Sequence, residues 1–426
     1  MSQFHHLVKT QPAQVTALNL PPNTSCVLLK KRTISVEATP LPILQPDGVL
    51  VKVISTGICG SDLHNYLAGG VGGRPVTEPI VMGHESAGEV IAVGELVTTH
   101  KVGDRVAVEP GLPCRRCINC KNGRMNICMD MRYCGAPGSV GSLMKYFALP
   151  ADMAPHIPEN VSWDEAGSIQ PLAIGVQIGK RADIRAHQTL AIFGCGPIGL
   201  ITAAVAHAYS ARKIIAFDVN PGRVEFAKKY ISPLTGKPII DHVFHIAPLP
   251  SSKRSDTPNG LSSHIGEAGT GGGITDGEVV DGHEEETESD MKWGWAKKRM
   301  AEILEQVGLV DEEGVDRVIE ASGSEDAMLH GVAIAKQGAT YLQVGLGHIQ
   351  TNSFPTLAVT NKELDVKGIT RYTASCFPSA IDMLSRGVVD LKQLITIKFP
   401  LTKSAEAFEA VASGKQIKVI VKNQEE

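Results

Sequence analysis

The stretch from residue 190 to residue 218 constrains the fold more than any other. An uninterrupted apolar segment (LAIF, 190–193) runs into Gly194-Cys-Gly-Pro-Ile-Gly199, a helical run follows over 198–209, and a second apolar segment (KIIAF, 213–217) ends in Asp218. A G-x-G-x-x-G at a strand end and helix start lets the chain turn tightly, lets a pyrophosphate approach the backbone and lets helix and strand pack closely. Strands that are apolar on both faces belong to a parallel sheet covered by helices, so this half reads as a doubly wound α/β domain of the Rossmann type. Gly194, Gly196, Pro197, Ile198 and Gly199 are its expected phosphate cradle. Asp218 falls nineteen residues after Gly199, where a carboxylate accepts from the adenosine ribose hydroxyls and repels a 2′-phosphate, which favours NAD over NADP. Arg223 is a candidate to stack on adenine, with a solvated surface role as the alternative. Further strands are expected at 241–246, 315–320 and 339–345.

The first 160 residues differ. Short alternating, β-branched segments at 48–54, 86–93 and 104–108, broken by Gly and Pro, predict an all-β, barrel-like domain. A length of 426 residues allows two or three domains. Lys plus Arg number 41 against 45 for Asp plus Glu, so no strong positive field is present to hold nucleic acid or anionic lipid. No segment approaches the ~18 consecutive apolar residues of a membrane span, and the N-terminus carries no apolar run of signal-peptide type.

Residues 248–291 break the pattern with ten acidic, two basic and eight Gly residues and no aromatics. Such a segment buries too little apolar surface to offset the entropy of ordering, and reads as a disordered linker inserted in the second domain. Helical periodicity resumes after it, with Trp293, Ala296, Met300, Ile303, Leu304 and Val307 on one face.

Four of the nine cysteines, Cys114, Cys117, Cys120 and Cys128, fall within fifteen residues. Four thiolates at this spacing surround a Zn²⁺ tetrahedrally in a closed, structural site; free thiols or a disulfide pair are the alternative. The chain is expected in a reducing compartment, most simply the cytoplasm. A third cluster is less compact: Cys59, Ser61, Asp62 and His64 in GICGSDLH, then Gly83-His84-Glu85. One thiolate, one imidazole and one carboxylate leave a fourth position open, the mark of a catalytic zinc. Taken alone, Cys59 also fits a buried core thiol and His84 a hydrogen-bonded turn histidine.

The segment GHESAGEVIAVGELV resembles the zinc signature of the medium-chain dehydrogenase/reductase family. GICGSDLH, the four-cysteine lobe, IQPLAIGV, FGCGPIGL and VGLG follow in that family's order, and the likeness runs from about Val27 to Lys422 outside the insertion. GICGSDLH, VAVEPG, GLGHIQT and Gly368-Ile-Thr-Arg371-Tyr372 carry a closer likeness to the sorbitol, xylitol and L-arabinitol dehydrogenase group. The resemblance implies a GroES-like β-rich catalytic domain (1–178 and 366–426) and a Rossmann NAD-binding domain (179–365), with two zinc ions per subunit and a homotetramer. It implies an enzyme that moves hydride from a secondary alcohol of a polyol to NAD. Cys59, His84 and Glu85 would hold the catalytic zinc, Ser61 would bond the substrate hydroxyl, His64 would pass its proton to solvent, and Asp62 would orient the ligands. Tyr66, Tyr133, Arg371 and Tyr372 would line the polyol pocket, and Val344, Gly345 and Leu346 would lie against the nicotinamide.

Two departures from the group stand out. Gln170 replaces the glutamate usual before Pro-Leu in the zinc-site helix, so it is expected near zinc with one negative charge fewer in the site. Ala136 stands where sorbitol dehydrogenases tend to carry a hydroxyl residue, which weakens the case for sorbitol itself. Zinc alcohol, threonine and butanediol dehydrogenases share these zinc and NAD motifs and are the rival enzymes. A catalytically silent binding protein is the rival of another class, and retention of Cys59, His84 and Glu85 together argues against it.

Overall fold

A computed structural model describes residues 20–71, 73–250, 287–347 and 353–425. Six parallel strands form one sheet, in the order His242–His245, Lys213–Asp218, Thr189–Phe193, Val315–Glu320, Ala335–Gln343, Asp365–Gly368. The strand Thr189–Phe193 lies at the centre, where the winding reverses, so the Gly-rich turn that follows it opens at the sheet's ligand-binding edge. The strands bury both faces by simple alternation. Leu190, Ile192, Ile214 and Ala216 pack beneath the helices Ile169–Arg181 and Pro197–Ala208. Ala191, Phe193, Ile215 and Phe217 face the opposite layer, with Met300 and Ile303 of the helix Glu288–Gln306. Phe193 and Phe217 stack there with ring centroids 4.6 Å apart.

The strand expected at 339–345 begins earlier, at Ala335, because Ala335 pairs with Val315 across a register shift. It ends earlier too: the amides of Val344 and Gly345 both turn to the Glu320 carbonyl at 2.8 Å.

The second main sheet gathers the N-terminal strands around Gly48–Gly57, which pairs antiparallel with Glu85–Val93 and Tyr146–Pro150. The strands Ile395–Pro400 and Lys418–Lys422 complete it, the latter pairing with the C-terminal end of Gly48–Gly57. An all-β reading of the first 160 residues misses the helix Gly60–Ala68. Cys59 caps it in extended conformation, and the Asp62 side chain reaches back to the cap backbone, so GSDLHNYLA is a helix despite its β-rich surroundings.

The predicted insertion lies largely outside the described residues, but both its edges are corrected. Leu249 is 5% exposed, packs with Ala296 and Leu329 and donates its amide to Asp326. At the other edge Thr287 and Asp290 form a capping box that starts the helix at Glu288, inside the span assigned to linker. From there Ala296, Met300, Ile303 and Val307 are buried, on the face that the periodicity picked out.

Candidate active site and metal centres

Between the two sheets lies a cavity of about 570 Å³. Its floor is set by the turn Gly57-Ile58-Cys59 and the strand that starts at Glu85. Donor atoms of Cys59, His84 and Glu85 lie within 4.8 Å of one another. Asp62 lies 3.4 Å from His84 Nδ1, which turns Nε2 toward the Cys59 sulfur. Ser61 Oγ donates to Cys59 Sγ at 3.3 Å and lies 3.5 Å from His84 Nε2. Burial alone would lower the His84 pKa, but the Asp62 carboxylate and Cys59 sulfur outweigh it and hold the imidazole well above its ordinary value.

Glu85, 2% exposed, shares an oxygen with Lys418, itself 3% exposed, and Lys418 also donates to the Ile58 carbonyl at 3.1 Å. A Cβ on Gly57 would come 2.5 Å from Glu85 Oε2, 2.6 Å from the Gly167 carbonyl and 2.7 Å from Lys418 Cε, so the ion pair and that carbonyl together require the glycine that opens the motif. A thiolate, an imidazole and two carboxylates, offset by one lysine, leave an excess of negative charge in a buried site. That donor set fits a bound Zn²⁺.

The other expected pocket residues divide. His64 lines the cavity at its exposed rim, one turn beyond Ser61, and no hydrogen bond among the described residues joins the two. Tyr133 lines it too; its hydroxyl accepts from Gln170 Nε2 at 2.9 Å, and its ring lies 5.6 Å from that of His84. Arg371 places its guanidinium 5.3 Å over the Tyr133 ring. Ala136 is in the wall, as are Gln170, Ile198, Val344, Gly345 and Leu346.

Tyr66 and Tyr372 are corrections. Tyr66, 4% exposed, packs against Phe408 with centroids 5.5 Å apart and donates its hydroxyl to Glu409. It lies one turn beyond Asp62 on the inner face of the helix, but while Asp62 reaches the cavity, Tyr66 is covered by the helix Ser404–Ala412. Tyr372 is 2% exposed in the main core against Phe377, and burial pushes its pKa far up.

At the sheet edge, a Cβ on Gly199 would sit 1.8 Å from the Gly194 carbonyl, and Gly194 has φ of +105°, so the turn requires both glycines. Asp218 accepts from the amides of Cys195 and Asn220, each at 2.7 Å, which leaves lone pairs on both oxygens. Arg223 reaches the loop, 3.8 Å from where a Gly196 Cβ would be. Its Nε is buried with no acceptor, an open donor beside the helix N-terminus that suits the adenosine half of a dinucleotide.

Sequence reasoning missed Glu320 and Lys418. Glu320 is fully buried and accepts from Ser322, Gly323 and Gln343, tying together the two loops that carry Ser322 and Val344 into the cavity wall. A glutamate directly after the apolar pair Val318-Ile319, at the end of a strand of the parallel sheet, is the available signal.

In the lobe, one sulfur from each of Cys114, Cys117, Cys120 and Cys128 lies within 4.8 Å of the rest. Backbone amides pull Cys114 and Cys117 below the usual thiol range, while desolvation pushes Cys120 up. Four thiols this close cannot all ionise unaided, so the arrangement fits a tetrahedral zinc.

Residues 45–159 match the alcohol dehydrogenase GroES-like domain, and residues 279–386 match the zinc-binding dehydrogenase domain. The chain is 37% identical over 400 residues to D-xylulose reductase A of Aspergillus niger, across 94% of this chain and 96% of that protein. Its fold is similar to that of L-idonate 5-dehydrogenase from Escherichia coli, with a TM-score of 0.73 at 24% identity, covering 94% of this chain and 98% of the other. It is also similar to 2R,3R-butanediol dehydrogenase from Bacillus subtilis, with a TM-score of 0.70 at 25% identity, covering 94% and 99%. With two zinc-type donor sets inside the matched GroES-like segment and a dinucleotide turn at the edge of the parallel sheet, the chain belongs to the zinc-dependent medium-chain dehydrogenase/reductase family, in its polyol dehydrogenase group.

Proposed function

We propose that the protein oxidises a secondary hydroxyl of a pentitol, xylitol foremost, to the ketose with NAD⁺. The observation that carries this is the Arg371 guanidinium held over Tyr133, whose ring faces His84: a cationic donor stands beside the reactive centre, where a polyol has hydroxyls and a simple alcohol has none. The 37% identity to a protein named D-xylulose reductase supports the same substrate class. Ala136 in the wall removes a polar contact that a longer hexitol would use.

When bound, zinc supplies a Lewis acid that lowers the pKa of the substrate hydroxyl, and NAD⁺ supplies the hydride acceptor. Ser61 Oγ, between Cys59 and His84, would accept the hydroxyl proton while releasing its own to water in the cavity, and His64 at the exposed rim would exchange that proton with solvent. Asp62 keeps the His84 ring turned with Nε2 inward. The backbone at Val344, Gly345 and Leu346 walls the nicotinamide end, and Glu320 keeps that wall rigid. Asp218 selects NAD⁺ by charge.

The reading includes a division into a catalytic and an NAD-binding domain built on the two sheets, but the bounds expected at 178/179 and 365/366 shift: the helix Ile169–Arg181 packs on the parallel sheet and the strand Asp365–Gly368 pairs into it, so both go with the NAD-binding half. It also includes a homotetramer in the cytoplasm. Nine cysteines without a disulfide among the described residues support a reducing compartment, and no described helix is long and apolar enough to cross a membrane.

The test is an NADH-absorbance screen of xylitol, L-arabinitol, sorbitol, 2,3-butanediol and threonine with NAD⁺ and NADP⁺, beside a zinc count. Highest kcat/KM for a pentitol with NAD⁺ and two zinc ions per chain is the expected result. Faster turnover of butanediol or threonine overturns the substrate, and a single zinc overturns the catalytic centre.

A further inference from the structure

Arg371 reaches the substrate cavity from a backbone that favours glycine. Its φ is +52°, in the left-handed region, and a residue with a Cβ stays there only when its surroundings hold it. Asn126, 8% exposed in the short turn Met125–Ile127 between Cys120 and Cys128, supplies such a hold. Its side-chain Nδ2 donates to the Thr370 carbonyl at 3.0 Å, and its backbone carbonyl accepts from Arg371 Nη1 at 3.0 Å. One bond fixes the backbone just before Arg371, and the other fixes the guanidinium. The two run in opposite chemical directions, so no single change at Arg371 satisfies both.

We propose that Asn126 is a positioning residue for substrate specificity. Through it the four-cysteine lobe, which contributes none of Cys114 to Cys128 to the cavity wall, aims the Arg371 guanidinium across the Tyr133 ring at the polyol's remaining hydroxyls. The inference rests on the polyol reading above and extends it to a lobe otherwise assigned to structure alone. The amide is required by its donor: a carboxylate at this position would set an acceptor against the Thr370 carbonyl and repel it.

The test compares Asn126→Asp, Arg371→Ala and the double variant with xylitol and with 2-butanol, which lacks the extra hydroxyls. The expected result is a fall of about tenfold in the xylitol-to-2-butanol ratio of kcat/KM for each single variant, carried by KM for xylitol. The double variant then matches Arg371→Ala, because Asn126→Asp acts only through the placement of the guanidinium, and with the guanidinium gone there is nothing left for it to misplace. Equal losses on both alcohols, or additive losses in the double variant, overturn the proposal. Asn126→Ala, which keeps the backbone carbonyl and drops only Nδ2, gives a smaller fall in the same ratio and decides the matter should Asn126→Asp not fold. A crystal structure of the Asn126 variant is the readout independent of turnover: the guanidinium leaves the Tyr133 face if the proposal holds and stays if it fails. Absence of any polyol oxidation by the unaltered protein defeats the functional reading alone, and the position of Arg371 in that crystal structure still decides this one.

Discussion

Lys418 and Glu85, 333 residues apart in the chain, form an ion pair with both side chains at 4% exposure or less. Removing one partner of such a pair leaves an uncompensated buried charge, which costs about 3–5 kcal/mol. Lys418→Met is therefore expected to lower the thermal midpoint by several degrees and to reduce zinc retention, measured by scanning calorimetry and by metal analysis after chelator treatment. A midpoint equal to that of the parent protein would show that the pair does not hold Glu85.

Asp62 and Cys59 raise the His84 pKa from 6.5, and zinc binds the neutral imidazole. In the metal-free protein, the stability contributed by protonated His84 is fully present below about 6.5 and lost as pH rises through the raised value. Zinc uptake must displace that proton, so affinity for the catalytic metal weakens as pH falls. Chelator competition at several pH values measures this. In Asp62→Asn the dependence moves to lower pH, and overall affinity falls by about 10–100-fold.

Glu109 has a carboxyl pushed up to about 8 by burial and by the charge of Asp152, and its Oε1 has no hydrogen-bond partner. The folded protein keeps a proton that the unfolded chain has released above about pH 4.5, so stability declines from there until pH passes about 8. Glu109→Gln should flatten this decline and stabilise the protein at pH 9 by on the order of 5 kcal/mol. Denaturation midpoints of both proteins at pH 5 and pH 9 check it; parallel slopes would refute it.

What the sequence made legible and what it hid differ in range. Cys59, His84 and Glu85, and the four lobe cysteines, were found because ligand chemistry is written in residue type and short spacing. The parallel sheet was legible because its strands are apolar on both faces. Tyr66 eludes the sequence because helical spacing shows which residues share a face but not what covers it, here Phe408 and Glu409 from the far end of the chain. Lys418 and Asn126 were invisible because their partners lie hundreds of residues away. Composition overestimates the insertion because it averages over a window, whereas Leu249 and the cap at Thr287 act singly.

Gln170→Glu adds a negative charge to the cavity wall beside Tyr133. The expected result is a higher apparent pKa in the pH dependence of kcat/KM, with zinc content unchanged. A superimposable profile would remove Gln170 from the electrostatics of the centre.

Asp218→Asn keeps an acceptor for the Cys195 or Asn220 amide but loses the charge that repels a 2′-phosphate. The ratio of kcat/KM for NADP⁺ over NAD⁺ should rise by at least about tenfold, an interaction change of about 1.4 kcal/mol. An unchanged ratio would assign cofactor choice elsewhere.

The strand Lys418–Lys422 closes onto Gly48–Gly57 only after the whole parallel sheet has been spelled out between them. A ribosome making this chain from its N-terminus therefore releases Cys59, His84 and Glu85 long before the lysine that neutralises Glu85. During that interval the half-built centre is an acidic, thiol-bearing pocket with one edge of its sheet unpaired, exposed to stray metals and to neighbouring chains. The order of synthesis thus makes the last strand the step that commits the centre, and a nascent chain stalled just short of it would hold all three ligands without the charge balance to keep them buried.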